Sequence, residues 1–138
     1  MTESYGIDKA TTCCFTGHRS RDLPFFGDRD KQGMKCLVSN IQLAIETAAS
    51  EGYKTFISGM AEGTDLICAE IVHNLIHRKG FDIRLICAIP YRNQGTMEIS
   101  NPLDRYIYSV IIQSCDKVVY ICDEFEKNCY KLRNQFMV

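Results

Sequence analysis

A chain of 138 residues, 46% of them hydrophobic, can bury one ordinary core but hardly two, so a single domain, or part of one, is expected across 1–138. Its 16 basic and 17 acidic residues leave a net charge of −1, which excludes a global field able to gather nucleic acid or an anionic membrane; any anion must be held locally. No apolar stretch approaches the length of a membrane span, and the N-terminal MTESYGIDK has neither the basic nor the apolar region of a secretion signal, which points to the cytoplasm.

The first predicted element is a strand, TTCCFT (11–16), followed by the loop GHRSRDLPFFGDRD (17–30). In 34–52 the residues Met34, Leu37, Val38, Ile41, Ala44, Ile45 and Ala48 form one helical stripe, with Gly52 as its stop. KTFIS (54–58) reads as a second strand, GMAEG (59–63) as a tight loop, and 64–80 as a helix with a broad apolar face, Thr64 as its cap and Arg78, Lys79 and Gly80 at its end. A third strand, DIRLICAI (82–89), leads into the loop PYRNQGTMEISN (90–101), and 101–115 opens a helix with Asn101 as cap and Pro102 at the first position. KVVYIC (117–122) is a fourth strand, DEFEKN (123–128) an acidic loop, and CYKLRNQFMV (129–138) a final helical stretch.

The strands are continuous apolar runs, as expected for strands buried on both faces. Their alternation with helices predicts an α/β, Rossmann-like three-layer domain, with a mainly parallel sheet of at least four strands and helices on both faces. The last helix stops without cap or polar tail, which suggests a C-terminally truncated form of a larger doubly wound domain; the fourth strand is then an open edge that invites a homodimer. In such sheets ligands sit outside the carboxyl ends of the strands, where the strand order reverses, so the four loops are expected to converge there.

The eight cysteines lie mostly in apolar runs with no CxxC pair, which favours reduced structural thiols over disulfides or a metal site. His73 and His77 have helical metal-ligand spacing but no evident third ligand, and no metal is expected. Arg19 after the first strand can fork two hydrogen bonds onto a phosphate, or pair with Asp22 or Glu62 as a structural bridge. His18 can act near neutral pH or orient a neighbour. In SGMAEGTD (58–65) the two glycines allow close backbone approach to an anion at a helix start, but a plain strand-to-helix turn explains them as well. Glu62 and Asp65 suit ribose hydroxyls or helix capping, and are the weak candidates for acid–base work. Tyr91, Arg92 and Gln94 supply a stacking face, a charge and an amide. No GxSxG elbow or paired nucleophile is present.

CCFTGHR (13–19) with Leu23-Pro24, SGMAEGTD (58–65) with Ala69-Glu70, the AIP and Gln of 88–94, and RNQFMV (133–138) together resemble the SLOG superfamily, which includes DNA-processing protein A and the Lonely-guy phosphoribohydrolases. Within it the motifs look like a bacterial branch with CCFTGHRP and GMAxGxDxxxAE signatures. The resemblance spans about Thr12 to Val138 and implies a nucleotide-derived ligand, with no certain cofactor. The ligand-facing positions it implies are Gly17, His18, Arg19, Ser58, Gly59, Met60, Gly63, Asp65, Gln94, Arg133 and Asn134. Three departures stand out: Ser20 replaces a proline, Leu66-Ile67-Cys68 lack an aromatic residue, and nothing matches the hydrolases' PGGxGTxxE motif. The resulting expectation is a sensor or regulatory binding domain. The alternatives are an N-glycosidic hydrolase of the phosphoribohydrolase type and a DNA-binding module using Arg19, Arg21 and Arg29, the latter disfavoured by the charge balance.

Overall fold

The structure, a computed structural model, describes residues 7–17 and 19–138. Four strands, β1 (Thr12–Cys14), β2 (Thr55–Ser58), β3 (Arg84–Tyr91) and β4 (Lys117–Cys122), alternate with five helices. These are α1 (Gln32–Ser50), α2 (Thr64–His77), α3 (Gln94–Glu98), α4 (Pro102–Ser114) and α5 (Cys129–Met137), with single 3-10 turns at Lys9–Thr11, Ser20–Asp22 and Pro24–Gly27. All three strand pairings are parallel, and the order across the sheet is β1-β2-β3-β4.

Because successive strand residues point to opposite faces, each strand feeds two layers. Phe56, Leu85, Cys87 and Ile89 pack with Met34 and Ile45 of α1, Leu66, Val72 and Leu75 of α2, and Ile111 of α4. On the other face Ile57, Ile86, Ala88 and Val119 meet Phe136 of α5 and Ile7. The α/β three-layer expectation therefore holds, with a marked inequality between the layers. Three crossovers that each step one strand in the same direction must, if right-handed, run over the same face. That leaves α5 to cover the other.

The strand order does not reverse among the described strands, in contrast to the expectation that a reversal would mark the ligand crevice. β3, flanked by β2 and β4, is the best shielded, with Leu85, Ile86, Cys87, Ala88 and Ile89 at 0–1% exposure. Leu85→Ala there is expected to cost about 2–5 kcal/mol.

Local chemistry sets the helix starts. Asn101 accepts hydrogen bonds from the backbone N–H groups of Leu103 and Asp104, and Pro102 occupies the first turn, as the sequence predicts. At α2 the cap is Gly63 rather than Thr64, which is the first helical residue. Gly63 holds φ 92° and ψ −131°, a conformation open essentially to glycine alone. The loop at 90–101 contains α3, a five-residue helix not evident from its sequence. No described helix is long and apolar enough to cross a membrane.

Candidate functional site

At the carboxyl ends of β1 and β2 a cavity of about 550 Å³ opens between the residues following β1, the start of α2 and one face of α5. Cys14 to Gly17 and Arg19 form one side, Ala61 and Asp65 the floor near α2, and Tyr130, Arg133, Asn134 and Met137 the α5 side. Tyr130, Arg133, Asn134 and Met137 fall three or four positions apart or side by side on the helix, so one face of α5 presents them together.

Tyr130 organises this wall. The guanidinium carbons of Arg19 and Arg133 each lie 5.4 Å from its ring centroid, within cation–π range. Its hydroxyl donates a short hydrogen bond to Glu98 Oε2, and the Tyr91 hydroxyl donates another to the same oxygen. Arg19 reaches the second oxygen of Glu98 at 3.4 Å. Glu98, carried by the end of α3, is thus a hub that fixes two phenols and a guanidinium. Burial, reinforced by the neighbouring carboxylate, pushes the Tyr130 phenol up to about 12, so it stays protonated and donating across the physiological range.

Beneath Tyr130 the loop after β2 is closed by its own groups. Ser58 is fully buried; its hydroxyl donates to the Asp65 carbonyl at 2.8 Å and accepts from the Met60 N–H at 3.1 Å. Met60, also fully buried, sits at φ 60°, a left-handed conformation that costs a non-glycine residue free energy and that the surrounding bonds enforce. The Gly59 carbonyl accepts from Arg133 at 2.9 Å and from the buried Gln94 amide at 3.4 Å. A side chain at Gly59 would place its Cβ 2.1 Å from the Arg133 guanidinium, and one at Gly17 would fall 2.5 Å from Thr64. A side chain at Gly17 would force Thr64 to shift, and one at Gly59 would displace the Arg133 guanidinium.

Arg133 is 6% exposed and Asp65 8%. Burial raises the Asp65 pKa, against the pull of Arg133, a backbone hydrogen bond from Ala61 and Arg19; burial lowers that of Arg133, against the pull of Asp65. Each charge is expensive alone and moderated by the other. The Cys68 thiol, one helical turn below, is pushed up to about 12 by burial and by Asp65, which leaves it unreactive.

Of the positions singled out from sequence, Gly17, Arg19, Asp65, Arg133 and Asn134 line this cavity. Ser58, Gly59, Met60, Gly63 and Gln94 are buried in the supporting layer behind it. Glu62 borders a neighbouring hollow with Arg21, and His18 lies outside the described residues. Arg19 does form a bridge, but with Glu98 rather than with Asp22 or Glu62; Arg21 is the residue near Asp22, at 3.7 Å. The fourth loop does not line the cavity; its Asp123 pairs with Arg92 at 3.1 Å, and its Phe125 meets the Tyr91 ring edge-on at 5.4 Å. Tyr130 and Glu98 were not singled out from sequence. The i, i+3 spacing of Tyr130 and Arg133 was the available signal for the first; Glu98 reaches the site only through the fold.

Elsewhere, the His73 and His77 rings lie 4.5 Å apart, with His73 hydrogen-bonded to Ser114, and no group of three metal-ligating side chains occurs among the described residues. All eight cysteines are free thiols, Cys14 and Cys36 exposed and the others at least partly buried.

No curated protein shows significant similarity to the chain. A model of the YspA SLOG family matches residues 13–138, nearly the full length, and takes in the loop after β1, the loop after β2 and the α5 face that together form the cavity. The chain belongs to the YspA SLOG family.

Proposed function

We propose that this domain binds a nucleotide-derived small molecule as a sensor or regulatory protein, in the cavity between β1, β2 and α5. The observation that carries the reading is the pairing of Arg19, from the β1 side, and Arg133, from α5, about Tyr130 in a 550 Å³ cavity. Guanidinium forks suit phosphate oxygens, a tyrosine face suits a nucleobase, and Asp65 with Asn134 can take ribose hydroxyls. The volume falls within the range of about 300–1,000 Å³ usual for small-molecule sites. Eight free thiols accord with a reducing, cytoplasmic setting.

A hydrolase reading draws support from one feature, the buried Asp65 carboxyl in the cavity lining, a group of the kind that acid–base catalysis needs. The DNA-binding reading loses one of its three arginines, since Arg29 is engaged by both Glu70 and Asp104. Thermal shifts with nucleoside monophosphates, NAD and ADP-ribose, combined with mass spectrometry for released base, separate the readings. Binding without base release is the expected result. Base accumulating with time supports the hydrolase, and no shift with any nucleotide refutes the binding site.

A further inference from the structure

Where α4 turns into β4, at the opposite end of the sheet from the cavity, two thiols meet. Cys87 of β3 is fully buried, on the face that packs against α1, α2 and α4. Cys115 caps the C-terminus of α4, is half-buried and packs against the same layer. The turn that carries it is fastened to β3. The Asp116 N–H donates to the Leu85 carbonyl at 3.0 Å, and the Asp116 carboxylate accepts from the Leu85 N–H at 2.8 Å. Val118 then lies opposite Cys87 in the parallel register. This clamp holds Cys115 beside Cys87, and a hydrogen bond joins the two thiols.

The pair is asymmetric. Cys115 is the half-exposed member, its thiol donating to the Lys117 carbonyl at 3.3 Å, and Cys87 is sealed behind it. The bond from Cys87 favours the Cys115 thiolate and lowers its pKa, against burial; the same bond, with burial, raises that of Cys87. An oxidant therefore meets the more acidic sulfur first, with a protonated thiol in contact behind it. Cys14 and Cys36 are more exposed, but Cys14 is bonded to the Met137 carbonyl and Cys36 to the Gln32 amide rather than to a second thiol.

We infer that Cys115 and Cys87 form a peroxide-sensitive modification site, with Cys115 as the attacking thiol and Cys87 as the resolving one. The Cys115 thiolate attacks a peroxide oxygen and the O–O bond breaks. The leaving alkoxide or hydroxide takes up the proton that Cys115 gave up, and Cys115 is left as a sulfenic acid. The Cys87 sulfur then attacks the Cys115 sulfur, the S–O bond breaks, and the oxygen leaves as water with the Cys87 proton. Two thiols are oxidised to one disulfide as one peroxide is reduced. The bridge closes the segment 88–114, with α3 and α4, into a single loop.

The test is hydrogen peroxide on the reduced full chain, followed by thiol blocking, tryptic digestion and mass spectrometry. Cleavage after Arg84, Arg92, Arg105 and Lys117 puts Cys87 in peptide 85–92 and Cys115 in peptide 106–117, each the single cysteine of its peptide. The expected result is a linked species of these two peptides that forms before any other cysteine is oxidised and is reversed by dithiothreitol. Cys115→Ala should leave Cys87 reduced. Cys87→Ala should abolish the link and leave Cys115 as a sulfenic acid captured by dimedone; because Cys87 belongs to the core, the wild-type peptide map and Cys115→Ala decide the matter without it. Oxidation of Cys14 or Cys36 ahead of the pair, a link between other cysteines, an unoxidised Cys115, or a Cys87 that oxidises as readily in Cys115→Ala overturns the inference.

Discussion

Two arginines follow strands at the same end of this sheet, and each lies near a tyrosine ring, but their surroundings differ. Arg92, after β3, rests 4.2 Å from the Tyr120 centroid, makes two hydrogen bonds to Asp123 at 3.1 and 3.3 Å, and borders a hollow of about 200 Å³. Its side chain is 56% exposed and that of Asp123 85%. Arg19, after β1, is 37% exposed, lies 5.4 Å from the Tyr130 centroid and contacts Glu98 at 3.4 Å, and Glu98 also binds two phenols. The difference comes from α5. By crossing the face that α1, α2 and α4 leave open, α5 carries Tyr130 and a buried Arg133 toward the ends of β1 and β2, and nothing equivalent arrives beside Arg92. An arginine in a loop is common, whereas one set against a second, buried arginine needs a helix to deliver it.

The comparison breaks most visibly at Arg133. Arg133→Ala removes a buried donor to the Gly59 carbonyl and the cation that moderates Asp65, and is expected to cost about 2–4 kcal/mol in urea unfolding. Next comes Glu98→Ala, which strands two phenols and frees Arg19. About 1–3 kcal/mol is expected from the unsatisfied groups, and tyrosine fluorescence should report loosening of Tyr130. A stability loss no greater than that of an exposed control would show that the hub does not hold the wall.

Asp65 sharpens the comparison through pH. Its folded pKa lies above the ordinary 3.8, so between that value and the higher folded one the folded protein binds more protons than the unfolded chain. Stability therefore falls as pH rises through that window and stays reduced above it, the reverse of a salt-bridged surface carboxylate. Asp65→Asn should abolish this fall, measured as urea midpoints across the window relative to wild type. The smallest effect belongs to Arg92→Ala. Its exposed pair with Asp123 should contribute no more than about 0.5 kcal/mol, and less in high salt.

Much of the scaffold was legible because strands and long helices announce themselves by period. The predicted strand at 117–122 and the predicted start of α5 at Cys129 coincide with the observed elements, and Asn101-Pro102 marks α4 through chemistry confined to four residues, 101–104. α3 was hidden because its five residues carry no period. Tertiary bonds hold it, among them those from Arg105 to the Thr96 and Ile99 carbonyls. The site was half visible. SGMAEGTD left an anion cradle and a plain strand-to-helix turn equally open; Gly59 makes room for Arg133 and Gly63 supplies a left-handed cap. The loop's glycines build the floor, and the positive charge comes from outside it. Glu98 and Arg19 are 79 positions apart, a separation at which no local pattern links two residues.

The central claim, that the β1–β2 end rather than the β3–β4 end holds a nucleotide, is tested most directly by measuring AMP affinity calorimetrically for the wild type, Arg19→Ala and Arg92→Ala side by side. A lost charge-assisted contact to phosphate is worth about 1.5–3 kcal/mol, so Arg19→Ala should weaken binding about 10- to 100-fold while Arg92→Ala leaves it unchanged. Equal affinity in wild type and Arg19→Ala, or a larger loss in Arg92→Ala, would contradict the account.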